Sequence, residues 1–77
     1  MKWALDDIDV QILRIAAEHH GLSIAEICRE AIGIKFSTCR NRVNLLLEGK
    51  YLRAKSRTRE KIIFSTQKAK RALTRRD

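Results

Sequence analysis

The sequence predicts a mainly α (α+β) domain built from three helices, a β-hairpin and a C-terminal helix. Three observations carry that prediction. Apolar residues recur at helical spacing in three blocks up to Gly49, and beyond Gly49 the period drops to two. A Ser-x-x-Glu box, Ser23 to Glu26, opens the second block. A chain of 77 residues buries roughly 63% of its unfolded surface. That supports one small core, so a single domain over residues 1–77 is expected.

The first helix is expected over about residues 6–20. Ile8, Ile12 and Ile15 form its stripe, widened by Leu13 and Ala16. Asp6, Asp7 and Asp9 crowd its N-terminal end, where carboxylates suit the helix dipole and one of the first two can cap it. His19 and His20 suit the C-terminus, and Gly21 closes it. The second helix, about 24–31, begins at the Ser23 box and turns Ile24, Ile27, Cys28 and Ala31 one way; Gly33 breaks it.

The third helix is expected over 37–48. Cys39, Val43, Leu46 and Leu47 share one face. Ser37, Asn41, Asn44 and Glu48 take the other, with Thr38, Arg40 and Arg42 on the flanks. A hairpin over 51–65 follows, its strands alternating around a polar five-residue loop, Ser56 to Glu60. Thr66 can then cap a helix over 66–75 with a thin stripe of Ala69, Ala72 and Leu73. Trp3 reads as a core or dimer-interface anchor, Phe36 and Phe64 as core, and Leu45 as cover for a neighbouring element or a contact for thymine methyls.

Charge narrows the function. The net charge is +8, and it is lopsided: residues 1–36 hold four basic and six acidic residues, residues 37–77 thirteen and three. A basic half is what a polyanion-binding face needs; the plain alternative is a solvated surface. A hydrophobic fraction of 44% speaks against wholesale disorder. No apolar run nears the ~20 residues of a membrane span, and the start has no leader-like stretch, so a cytoplasmic, nucleoid-associated protein without membrane contact is expected.

Two short helices joined by a tight glycine-containing link, followed by a hairpin, make a winged helix-turn-helix. The third helix would enter a DNA major groove, with the hairpin wing on the backbone or in the minor groove. Candidate DNA-binding residues are Lys35, Ser37, Thr38, Arg40, Asn41, Arg42 and Asn44 on or before that helix. Lys55, Arg57, Arg59 and Lys61 are the candidates on the wing. Asn pairs bidentately with adenine and Arg with guanine or phosphate; phosphate contacts give affinity and register. The expected role is sequence-specific binding of double-stranded DNA by a small transcriptional regulator. The alternative is a winged-helix module that binds protein or RNA in a larger assembly.

Leu5-Asp6-x-x-Asp9-x-x-Ile12-Leu13 resembles the opening of the DNA-binding domain of leucine-responsive (Lrp/AsnC) regulators. The stretch from Gly33 through Cys39, Arg42-Val43 and Leu46 to Gly49-x-Tyr51-Leu52 continues that resemblance. MarR-like regulators are similar over the third helix and hairpin, with Phe64-Ser65-Thr66 like their strand-to-helix junction. The resemblance implies that Arg42 grips the DNA backbone and that Lys35 to Asn41 form the base-facing start of the recognition helix. One residue is inserted before Gly33 relative to the Lrp pattern, and the ligand-binding domain of that family is missing, so no small-molecule effector is expected. A homodimer is expected from the class, because paired half-sites double the contact of a small module.

Cys28 and Cys39 with His19 and His20 fit no zinc spacing. The cysteines lie on apolar helix faces and read as buried structural thiols, with a disulfide left open if the two helices pack closely. No positioned base accompanies either thiol, so neither an enzyme nor a cofactor is expected.

Overall fold

Asp6 and Asp9 start the first helix between them. The Asp9 amide donates to Asp6 Oδ1 at 3.0 Å and the Asp6 amide to Asp9 Oδ2 at 3.1 Å, so two otherwise orphaned N–H groups are satisfied reciprocally. The computed structural model describes residues 5–19, 21–57 and 60–75. Trp3, His20 and the wing candidate Arg59 lie outside the described residues. The order is α1 (Asp7–Glu18), β1 (Leu22–Ser23), α2 (Ile24–Glu30), α3 (Phe36–Glu48), β2 (Leu52–Arg57), β3 (Glu60–Ser65) and α4 (Gln67–Arg75). This is a winged helix-turn-helix with a C-terminal helix.

Ser23 and Glu26 form the expected box at α2, with bonds of 3.2 and 3.0 Å. Between α1 and α2, Gly21 takes φ +87°, and a Cβ there would lie 3.1 Å from Ile62 Cγ2, so the turn needs glycine twice over. The end of α3 is unusual. Gly49 closes it at φ −79°, and the left-handed position falls to Lys50 at φ 66°. Thr66 caps α4 by accepting from the Ala69 amide at 3.3 Å. The same hydroxyl lies 2.8 Å from the Lys50 carbonyl, which ties α4 to the bend after α3.

Ile12, Leu13 and Ala16 of α1, Ile27 of α2, and Cys39, Val43 and Leu46 of α3 close over Leu52 and Ile63 of the sheet. Ala69 joins this core and Leu73 packs on it, which seats α4 against α1. Each large aliphatic buried there contributes about 1.5–3 kcal/mol.

The sheet departs from expectation in two ways. It has a third strand: β1 pairs antiparallel with β3, Leu22 opposite Ile63 and Ser23 opposite Ile62, giving the order β1-β3-β2. The hairpin also extends further, pairing Ser56 with Lys61 and Arg57 with Glu60. Three residues of the expected five-residue loop, Ser56, Arg57 and Glu60, therefore belong to the strands, because a ladder is held by backbone hydrogen bonds whatever side chains it carries.

Three buried assignments also change. Phe36 is not core: the buried stripe of α3 starts one turn later at Cys39, and Phe36 is 54% exposed. Ile63 takes the core-facing register position, so strict alternation turns Phe64 to the other face, where it is half-buried under the Arg53 guanidinium at 5.7 Å. Cys28 and Cys39 are not free thiols. They form a disulfide with a Cα–Cα distance of 5.7 Å, joining α2 to α3 across the turn.

Candidate nucleic-acid interface

α3 presents two chemically distinct sides. Cys39, Val43 and Leu46 are fully buried, whereas Ser37, Arg40, Asn41, Asn44 and Glu48 are exposed and Thr38 is half-buried. This follows from spacing: residues three or four apart share a face, so burying one apolar row leaves the polar row outside. Leu45 keeps 46% of its surface exposed among them. Lys35 is the N-cap, exposed and making no side-chain cap bond, and the first turn of α3 carries no acid. From Ala31 to Leu47 the chain has no carboxylate at all. The outer face thus offers amide, hydroxyl and guanidinium groups, the donors and acceptors that base edges and phosphates match.

Arg42 behaves differently from its neighbours. Its Nη1 lies 2.6 Å from Asp6 Oδ2 and 3.3 Å from Asp9 Oδ2, binding α3 to the N-terminus of α1. The Asp9 carboxylate is wholly buried, and burial, helped by the neighbouring Asp6 charge, pushes its pKa above the ordinary carboxylate value against the pull of the Asp6 amide and Arg42. Asp6 moves the other way, held down first by the Asp9 amide and then by Arg42. The hydrogen bond to Asp6 raises the already high pKa of Arg42, so its charge is permanent. Spacing alone hid this triad, because acids in a first helical turn read as dipole partners and give no hint of a cation 36 residues away.

On the wing, Lys55 and Lys61 are both exposed, but the register separates them. Lys55 pairs with Ile62 and Lys61 with Ser56, and adjacent pairs alternate between the two faces of the hairpin. Arg57 ends β2 opposite Glu60. Other cations are committed locally. Lys68 donates to the Gly49 carbonyl at 2.8 Å and sits 4.5 Å above the Tyr51 ring, stabilising the C-terminal end of α3.

A depression of about 560 Å³ is lined by Asp7, Val10, Gln11, Arg14, Ile15, Glu18 and Glu30, all on α1 and α2. Among the described residues no cluster of three His, Cys, Asp or Glu could hold a metal, and no helix is long and apolar enough to cross a membrane.

No protein-family model and no curated protein sequence matches the chain. Among solved structures it is similar to Bordetella bronchiseptica BpsR, whose structure addresses regulation of DNA binding by 6-hydroxynicotinic acid. The TM-score is 0.79 at 18% identity over 92% of this chain, which spans about half (51%) of that protein. The likeness establishes the fold.

Proposed function

We propose that this chain is a double-stranded-DNA-binding transcriptional regulator of the winged helix-turn-helix kind, similar to the Lrp/AsnC and MarR-like regulators. Its 77 residues act as one domain. The observation that carries the reading is the exposed polar face of α3, which carries no acid before Glu48 at its last position.

In this reading α3 lies in the major groove. Asn41 and Asn44 read base edges, Arg40 takes a guanine or a phosphate, and Ser37, Thr38 and Lys35 serve the leading turn. Lys55, Arg57, Arg59 and Lys61 supply the wing's phosphate contacts, which set register and affinity without choosing sequence. Arg42 fixes the rotation of α3 on α1 through Asp6 and Asp9, and any grip it has on the backbone is exerted from that anchored position. Two copies on an inverted repeat double the contact. The small-molecule control of BpsR belongs to a chain about twice as long, and this reading assigns the present chain the DNA grip alone.

A salt series on labelled duplex tests the reading. With about five to eight phosphates neutralised, log affinity falls against log salt with a slope of about −5 to −7. Tight binding insensitive to salt, or preference for single-stranded RNA or a protein, would replace it with the interaction-module alternative.

A further inference from the structure

The turn from α2 into α3 leaves two apolar side chains in solvent: Ile32, 85% exposed, and Phe36, 54% exposed. Single exposed apolar residues are ordinary; two within five positions of one turn, in a stretch without a carboxylate, are less so. Phe36 is the first residue of α3, directly before Ser37 and after Lys35, both exposed. It therefore stands at the leading end of α3, on the Arg40 flank of the proposed readout face. In helix-turn-helix proteins the N-terminal residues of the second helix are the ones that reach base edges.

A major groove offers one apolar group, the C5-methyl of thymine, set among acceptors and flanked by phosphates. A phenyl ring bordered by Lys35, Ser37 and Arg40 has the complementary composition. Resting on the DNA-binding reading above, the geometry points to Phe36 as a specificity residue that packs on a thymine methyl. Leu45, also exposed, lies about two and a half turns further along α3 and on its opposite side.

The test starts from a sequence selected from a random duplex pool. Each thymine is replaced singly by deoxyuridine, which removes the methyl and keeps every hydrogen-bonding group. Burying one methyl-sized group contributes about 0.8 kcal/mol, so one position is expected to bind about fourfold more weakly as deoxyuridine. Phe36→Ala is expected to bind the parent site more weakly and no longer to distinguish the two bases there, whereas Phe36→Leu keeps part of the discrimination. Circular dichroism confirms that each variant is folded. A selected site without thymine, equal binding of all deoxyuridine duplexes by the native chain, or full discrimination by Phe36→Ala overturns the assignment. So does loss of discrimination in Leu45→Ala instead. In each of those outcomes duplex binding persists; its absence for the native chain would bring down the DNA reading itself and leave the patch to a protein partner.

Discussion

Arg42 on α3 donates to the Asp6 carboxylate at 2.6 Å, and Asp6 is the residue that caps α1. The first-helix cap and the orientation of the outer-face helix are thus one assembly. Asp9 completes it from inside, buried and bonded to the Asp6 amide at 3.1 Å.

Removing the cation should cost stability in a pH-dependent way. Arg42→Ala leaves a buried carboxylate with less compensation, for a loss of about 1–2 kcal/mol at neutral pH. Asp6, with its pKa lowered from 3.8, favours the fold above that value and loses this as pH falls through its lower folded value. Asp9, raised from 3.8, favours the fold in full below that value and loses this as pH rises through its higher folded one. Arg42 pulls both downward, so the penalty of its loss shrinks as acid protonates the pair. Urea titrations at pH 7 and near pH 3 measure it; an equal penalty at both would show the triad to be inert.

The disulfide is expected to be a staple. Cys28 and Cys39 are 11 residues apart, and closing a loop of that length stabilises by roughly 3 kcal/mol in the chain-entropy account. For a domain of this size that corresponds to a melting-temperature drop of about 10–20 °C on reduction. Thermal unfolding with and without a phosphine reductant reads it directly. An unchanged melting temperature, with thiol counts confirming reduction, would refute the staple.

Lys50 holds the left-handed conformation that glycine takes at many helix ends. Lys50→Gly should relieve that cost and raise stability by about 0.5–1 kcal/mol, part of the gain being lost to greater freedom in the unfolded chain. Gly21→Ala should do the opposite, costing about 1–3 kcal/mol from its φ of +87° and the nearby Ile62. Chemical denaturation of the two variants should move the midpoint in opposite directions.

Asn41→Ala separates reading from gripping. The expected loss is about 1–3 kcal/mol on the selected site and little on random duplex. Competition binding with both duplexes measures the ratio. An unchanged ratio would remove Asn41 from base recognition while leaving the other contacts in place.

What was legible in the sequence was local. The Ser23–Glu26 box, the split of α3 into a Cys39-Val43-Leu46 side and a Ser37-Asn41-Asn44 side, and the Thr66 cap all rest on neighbours within one or two helical turns. What was missed depends on distance along the chain or on length. Two residues, Leu22 and Ser23, are too few to show alternation. The polar end of the hairpin has no apolar row to betray its strands. Phe36 looks apolar enough for a core that begins only at Cys39. The disulfide and the Arg42 triad need the packing of α1, α2 and α3 to exist before either can be seen. Composition groups the wing cations together, yet the division of Lys55 and Lys61 between two faces follows from a register that composition does not carry.

Ser23 occupies two posts at once: it closes β1 opposite Ile62 and opens α2 through Glu26. No slack separates the sheet from the helix pair. A displacement of β3 is therefore passed through Ser23 to the first turn of α2 and, through the Cys28–Cys39 bond, on to α3.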